Sequence, residues 1–134
     1  MLKQLSIFAE NKRGAMNALT KILKDNEINI TTLVTNDSAE FGIVRMIVDD
    51  PQKACKAMTE QGYLCRLDSV TGIEMEDTPG SLDGLLGAIS DAYLNLDYIY
   101  ISFARETATP VAILKSSEGD ELESCLKSKG YKVL

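Results

Sequence analysis

Two glycines preceded by polar and charged residues are the part of the sequence best suited to binding a small charged ligand. They are Gly14, in the segment ENKRGAM, and Gly80, in the segment EDTPGSL. A pattern typical of a helix follows each glycine, and the N-terminus of a helix presents unpaired N–H groups that hold a carboxylate. Asn11 and Asp77 add oxygens that accept hydrogen bonds from an ammonium group. Both segments are therefore candidate sites for an amino acid zwitterion.

The same residues also have a purely structural interpretation. Asn11 and Asp77 are good helix-capping residue types, and Gly14 and Gly80 would permit a tight turn before each helix. The spacing alone leaves both interpretations open.

Asn29 and Asn95 form a second repeated feature. Asparagine is depleted in strand interiors, yet it stands at the start of a predicted strand in both places, next to the apolar residues Ile30 and Leu96. An amide side chain offers a ligand both a donor and an acceptor. The alternative is a turn residue that completes the connection from the preceding helix.

Other chemistry has little support in this sequence. There is no histidine, which excludes catalytic triads based on histidine and the commonest transition-metal ligand. Glu74 and Glu76 lie two apart on a predicted strand, as paired carboxylates of a glycosidase might, but a solvated sheet face explains them more simply. We expect no catalytic residue, no metal site and no cofactor.

Composition narrows the range of partners. The chain has 134 residues, 14 basic against 20 acidic side chains and a net charge of -6. This charge repels nucleic acid and anionic membrane surfaces. No apolar run approaches the roughly 20 residues of a membrane span, and no signal-peptide pattern is present. We therefore expect a cytoplasmic protein without nucleic acid or membrane partners.

The chain is similar to itself at a fixed offset. When the sequence is aligned with itself at an offset of 66 residues, Gly14 aligns with Gly80 and Asn29 with Asn95. The apolar residues before and after the two glycines align as well. Further along, at an offset of 68, Gly62 aligns with Gly130 and Tyr63 with Tyr131. The sequence therefore predicts two domains of one design, residues 1–70 and 71–134.

Each repeat has the order βαββαβ. In the first, the patterns predict strands at 3–9, 28–35, 41–48 and 63–70, with helices at 15–25 and from Pro51 to a stop at Gly62, the second helix being capped by Asp50. A turn is predicted at Asn36, Asp37 and Ser38, and a bulge or bend where the apolar phase slips between Ile30 and Leu33 and again between Leu96 and Ile99. The predicted fold class is α+β: two ferredoxin-like repeats with antiparallel sheets, paired side by side.

With these residues in place, the chain resembles tandem ACT-domain proteins, small regulatory modules that bind amino acids. The second repeat carries the D-x-P-G-x-L signature as Asp77, Pro79, Gly80 and Leu82. The first resembles the E-N-x-P-G form of modules that bind serine, with Arg13 in place of proline, and its Glu27–Ile30 segment resembles the accompanying G-V-N-I strand. The resemblance covers essentially the whole chain.

The resemblance implies a ligand at the interface of two modules, with the loop of one facing the second strand of the other. Two residue sets follow by position. The first set is Asn11, Arg13, Gly14 and Ala15 with Asn95 and Leu96. The second set is Asp77, Pro79, Gly80, Ser81 and Leu82 with Asn29 and Ile30. Because proline would fix the turn, Arg13 should leave the first loop less preorganised.

The leading hypothesis is a non-enzymatic amino-acid sensor or regulatory protein. Its partners would be a small amino acid, a second copy in a homodimer and a regulated enzyme in trans. The alternative is a ligand-free module of the same fold that only mediates dimerisation. A third hypothesis, an acylphosphatase-like hydrolase that uses Arg13, has less support.

Overall fold

The structure is a computed structural model that describes residues 1–36 and 41–134. Its elements in chain order are β1 (Leu2–Glu10), α1 (Ala15–Asp25), β2 (Ile30–Thr35), β3 (Phe41–Val48), α2 (Pro51–Glu60), β4 (Leu64–Glu74), α3 (Ser81–Asp91), β5 (Tyr98–Phe103), β6 (Pro110–Lys115), α4 (Gly119–Ser128) and β7 (Lys132–Val133). The predicted turn residues Asp37 and Ser38 lie outside the described residues.

The chain divides into two compact units. The first unit is Lys3–Asp68, and the second unit combines Met1–Leu2 with Ser69–Leu134. Strand β4 supplies residues to both. The domain limits predicted from the sequence, 1–70 and 71–134, fall close to this division and remain a prediction.

The first unit is a sheet in the order β2-β3-β1-β4 with two helices on one side. Leu5 and Ile7 of β1 are fully buried against Leu19 of α1 and Met58 of α2, and their neighbours Gln4 and Ser6, on the other face of the strand, are buried too. Strand β3 pairs antiparallel with both β1 and β2. This is the predicted ferredoxin-like βαββαβ arrangement.

The second unit repeats the arrangement with β4, α3, β5, β6, α4 and β7. Strand β4 pairs antiparallel with β6 and with β7, and β5 pairs with β6. The buried core joins Ile73 and Leu114 of the sheet to Leu85 of α3 and Leu122 of α4. The predicted α+β fold class is confirmed.

Two local predictions are also confirmed. Asp50 caps α2, since its Oδ1 accepts a hydrogen bond from the Lys53 N–H at 3.2 Å, and Pro51 is the first helical residue. The β2–β3 register shifts between Ile30 and Thr32. At the matching point of the second unit, the Asp97 N–H donates to the carbonyl of Lys115, but the β5–β6 register runs without a shift from Tyr98 to Phe103, so the irregularity between Leu96 and Ile99 stays a prediction.

Among the described residues, no helix is both long enough and apolar enough to cross a membrane.

The second residue after α3, next to the C-cap residue Ala92, has a left-handed backbone. Tyr93 has φ 56°, a conformation that glycine adopts without cost but a residue with a Cβ does not. Its position is usual for such a conformation, since the N–H groups of Tyr93 and Leu94 close the helix on Ser90 and Ile89. The Tyr93 side chain is 96% exposed, so its packing contributes little favourable free energy to offset this strain.

Replacing Tyr93 by glycine should stabilise the second unit. We expect the free energy of unfolding of Tyr93→Gly to rise by about 0.5 to 1 kcal/mol, because the strain is relieved and no buried contact is lost. Urea denaturation followed by circular dichroism measures the change. Tyr93→Ala is the matched control: it removes the same exposed ring but keeps a Cβ, so equal stability of the two variants would contradict the strain argument.

Candidate functional site

The loop between β1 and α1, and its counterpart between β4 and α3, are shaped by left-handed glycines. Gly14 (φ 83°) and Gly80 (φ 90°) are the residues from which α1 and α3 begin, and neither helix start receives a side-chain cap hydrogen bond. The structural alternative, in which Asn11 and Asp77 cap these helices, is therefore wrong. The reason is that each glycine itself occupies the cap position, three residues beyond Asn11 or Asp77.

Arg13 does not change the backbone of the first loop. The Ala15 N–H donates to the Lys12 carbonyl at 3.2 Å, and the Ser81 N–H donates to the Thr78 carbonyl at the same distance. The next helical bonds, from Ala18 to Gly14 and from Gly84 to Gly80, also correspond. The two loops thus share one conformation, with proline before the glycine in the second and arginine in the first.

The space over each glycine is open. A Cβ built on Gly14 or Gly80 would meet no atom within 4 Å. Glycine is required there by its positive φ rather than by close packing of the chain, and the loop surface remains accessible to a ligand.

Each unit carries a groove beside this loop, and the two grooves occupy equivalent positions. Their volumes are about 680 Å³ in the first unit and about 560 Å³ in the second. The first groove is lined by Phe8, Ala9, Glu10, Lys12, Arg13, Gly14, Ala15, Ala18, Gly62, Tyr63 and Leu64. The second groove is lined by Glu74, Met75, Glu76, Gly80, Ser81, Gly84, Thr109, Gly130, Tyr131 and Lys132.

A glycine-tyrosine pair that the site prediction missed closes one end of each groove. Gly62 (φ 87°) and Gly130 (φ 86°) end α2 and α4, and the N–H of the following tyrosine bonds back into the helix. A Cβ on Gly84 would lie 3.9 Å from the Tyr131 hydroxyl oxygen, so that hydroxyl lies over the first turn of α3. The repeat itself was the available signal, because both pairs align at an offset of 68.

The first groove is rimmed by one carboxylate and two cations, Glu10, Lys12 and Arg13. Lys12 Nζ lies 2.9 Å from Glu10 Oε2, and both side chains are exposed. The hydrogen bond and charge of Glu10 raise the pKa of Lys12, which keeps the ammonium protonated at neutral pH. The rim is therefore net positive and suits a carboxylate.

The second groove is rimmed by two carboxylates and one cation, Glu74, Glu76 and Lys132. Glu74 Oε2 lies 2.7 Å from Lys132 Nζ, and its other oxygen accepts a hydrogen bond from the Thr109 hydroxyl at 2.7 Å. The hydrogen bond from Lys132, followed by that from Thr109, lowers the pKa of Glu74. The prediction that Glu74 belongs to a simple solvated face is wrong, since its side chain is only 15% exposed and lines a groove.

The predicted loop residues divide among three surfaces. Arg13, Gly14 and Ala15 line the first groove, and Gly80 and Ser81 line the second. Asn11 lines another groove on the β2–β3 side of its loop, together with Lys12, Met16, Thr35 and Gly42. Asp77, Pro79 and Leu82 belong to the second loop and first turn of α3, where they are exposed and lie outside the lining of the second groove.

Asn29 and Asn95 lie away from the loop of their own unit. Along β3, Glu10 opposes Phe41 whereas Ile30 opposes Val48, which puts the start of β2 about 20 Å from the loop. Each asparagine also ties two strands: the Asn29 N–H donates to Asp49 Oδ1 at 3.1 Å, and the Asn95 carbonyl accepts from Ser116 Oγ at 2.7 Å. Their predicted pairing, with Ile30 and Leu96, to loops of the other repeat stays a prediction.

The described side chains of the two grooves suit the binding of a small charged molecule. No cluster of three or more histidine, cysteine, aspartate or glutamate residues suited to a metal ion occurs within residues 1–36 and 41–134. Each groove combines helix N–H groups, both signs of charge and a tyrosine. This combination can hold the two charged ends of a small zwitterion.

Several solved structures share this architecture. A Bacteroides thetaiotaomicron protein of known structure is similar over 99% of this chain and 91% of its own, with 35% identity and a TM-score of 0.92. The regulatory subunits of aspartate kinase from Thermus thermophilus (94% and 91% coverage, TM-score 0.66) and Thermus flavus (96% and 93%, TM-score 0.61) share the fold at 14% identity. No curated protein sequence matches the chain.

The ACT domain pair family matches residues 1–124. This match covers both repeats, both glycine loops and both groove walls, apart from the Gly-Tyr corner and β7 at the end of the second unit. The chain therefore belongs to the ACT domain pair family, which is a regulatory fold.

Proposed function

We propose that this protein is a non-enzymatic sensor that binds a free amino acid in the groove beside each glycine loop. The observation that carries the proposal is the recurrence of the same groove in both units, although the sequences around it differ. The turn itself accounts for the open space over both glycines, but it does not require the charges of both signs that the rim of each groove carries.

The ligand's carboxylate is held at the first turn of α1 or α3 and its ammonium group by an acidic rim residue. In the first groove, Lys12 and Arg13 attract the carboxylate and Glu10 receives the ammonium group. In the second, the positive end of the α3 dipole beside Gly80 and Ser81 attracts the carboxylate and Glu76 takes the ammonium group. Asn11 and Asp77 add oxygens at the outer side of the loops.

The proposal gives a different role to the residues at the start of the second strand of each repeat, which are Asn29, Ile30, Asn95 and Leu96. Because they lie far from the loop of their own unit, they serve a ligand held by the loop of another module. Their exposed amides remain able to do so, since the strand-tying hydrogen bonds of Asn29 and Asn95 use backbone groups.

The solved structures that are similar to this chain support a regulatory role in this proposal. Structures similar to this chain include regulatory subunits of aspartate kinase. We propose that the amino acid shifts an equilibrium between two states of a homodimer, or of a complex with a regulated enzyme in the cytoplasm, through unequal affinity for the two states. Polar recognition of a ligand this small is consistent with micromolar affinity.

A ligand-free homodimerisation module is the second candidate, and one surface favours it. On its side away from β6, β5 pairs with no strand among the described residues. On that strand Ile101 is 42% exposed and Phe103 is 55% exposed. An uncharged apolar edge of this kind invites pairing with a second strand.

The two candidates predict different responses to free amino acids. Under the sensor proposal, at least one of the twenty amino acids raises the melting temperature of the full chain by several degrees, since saturation at about 100 times Kd contributes about 2.7 kcal/mol. Differential scanning fluorimetry across all twenty measures this effect. The absence of any shift at millimolar concentrations would leave only the dimerisation module.

Arg13 should contribute to ligand affinity through its charge. We expect Arg13→Ala to weaken binding of the active amino acid at the first groove about tenfold, because a charge-assisted contact to the carboxylate is lost. Isothermal titration calorimetry measures the affinity. Lys56→Ala removes an equally exposed cation from α2, outside both grooves, and should bind as the unmodified chain does; equal losses in both variants would indicate a nonspecific charge effect.

The exposed apolar residues of β5 lead to a prediction about the oligomeric state of the chain. Ile101→Lys places like charges together when two β5 strands pair, so it should convert a dimer into a monomer. Analytical ultracentrifugation of the full chain measures the state. Thr35→Lys, at the equivalent position of β2, is the matched control and should leave the dimer intact; a dimer that survives Ile101→Lys would exclude β5 as its interface.

A further inference from the structure

Cys55 of α2 and Cys65 of β4 lie against each other beside the core of the first unit. The Cys55 thiol donates a hydrogen bond to the Cys65 carbonyl, with the sulfur 3.7 Å from the oxygen. The two thiols also hydrogen-bond to each other. Both side chains pack on the buried core, yet both remain partly exposed. Two accessible sulfur atoms in contact are the geometry from which a disulfide bond forms.

The fold does not require a pair of cysteines at these two positions. The offset of 68 residues that aligns the second helices of the repeats places Glu123 at the position of Cys55 and Val133 at that of Cys65. The second unit therefore forms the same helix and strand with two side chains that cannot be joined. The dithiol is a chemical property of the first unit alone.

We propose that Cys55 and Cys65 are a reversible disulfide site, which low-molecular-weight disulfides such as oxidised glutathione convert from dithiol to disulfide. Neither cysteine lines a groove, so the site is separate from the proposed amino-acid sites. The proposal stands whether or not the grooves bind an amino acid.

Cys55 begins the thiol–disulfide exchange. Burial, followed by the hydrogen bond with Cys55, raises the pKa of Cys65, which keeps that thiol protonated and makes it the poorer nucleophile. The Cys55 thiolate attacks one sulfur of the small disulfide, and the other sulfur leaves as a thiolate. The product is a mixed disulfide at Cys55.

Cys65 completes the exchange. Its sulfur gives up its proton and attacks the Cys55 sulfur of the mixed disulfide, and the second small thiol leaves. In total the two cysteines lose two electrons and two protons, and the small disulfide is reduced to two thiols. Because a protonated thiol reacts slowly, this second step should become faster as the pH rises.

The new bond would act on the corner between α2 and β4. It closes a short loop that contains Gly62 and Tyr63. The N–H groups of these two residues donate to the Thr59 and Met58 carbonyls at the end of α2. A covalent link across the corner opposes the opening of these hydrogen bonds. Since Gly62 and Tyr63 line the first groove, oxidation would stiffen one end of it.

Peptide mapping of the oxidised full chain tests the proposal. The chain is incubated with oxidised glutathione at mildly alkaline pH, its remaining thiols are blocked, and it is digested with trypsin, which cleaves after Lys53, Lys56 and Arg66. We expect peptides 54–56 and 57–66 to be joined by a disulfide and to separate on reduction with dithiothreitol. Glutathione on the cysteines without any joined pair would overturn the proposal.

Two variants are matched controls for the mapping. Cys125→Ser removes the third cysteine, which is partly exposed on α4, and should give the joined peptides as the unmodified chain does. Cys55→Ser should give none, and circular dichroism checks that it is folded. A disulfide from Cys125 to either partner, in place of the bond between Cys55 and Cys65, would overturn the pairing.

Hydrogen exchange measured by mass spectrometry tests the effect on the corner. In the unmodified chain and in Cys125→Ser, we expect oxidation to slow exchange of the Gly62 and Tyr63 amides at least about tenfold. Cys55→Ser treated with the same oxidant should show no change. Equal exchange in the oxidised and reduced chains would overturn the stiffening of the corner.

Discussion

The backbone turn at Gly14 and Gly80 is the constraint on which both grooves depend. A left-handed residue must connect the end of a strand to a helix that lies back across the sheet, and only glycine adopts this conformation freely. Since the glycine occupies the cap position and has no Cβ, the space directly over it is open in both loops. A requirement of chain geometry thereby leaves an accessible helix start in each unit.

Duplication explains why the two grooves share a shape and differ in chemistry. The residues held in common are those that determine backbone conformation: the loop glycines and the Gly-Tyr pairs that end α2 and α4. Other residues that line the grooves carry no such constraint and differ between the units: Phe8 and Leu64 in the first, Glu74 and Lys132 in the second. The backbone of the turn is therefore common to both grooves, whereas the chemistry of their lining is not.

The fold was predictable from this sequence because its signals are local and occur twice. The strand with Leu5 and Ile7 in the core, the Asp50 cap and the phase slip after Ile30 each depend on a few neighbouring residues, and the structure confirms them. The site was less predictable. Asn11 and Asp77 could serve as caps or ligand contacts on spacing alone, and the environment of Glu74 depends on Thr109 and Lys132, which are distant in sequence.

Under the proposed function, ligand binding is coupled to the arrangement of the elements that form the groove. In the first unit the groove is formed by the end of β1, the start of α1 and the start of β4, three elements that meet only through folding. An amino acid that contacts more than one of them would favour the state in which their separation fits it. The free energy available for regulation is the difference in affinity between two such arrangements, and a tenfold difference corresponds to about 1.4 kcal/mol. An open groove with contacts on separate elements makes such a difference attainable without any change of fold, because a small displacement of α1 relative to the strands alters both ends of the ligand's contacts together.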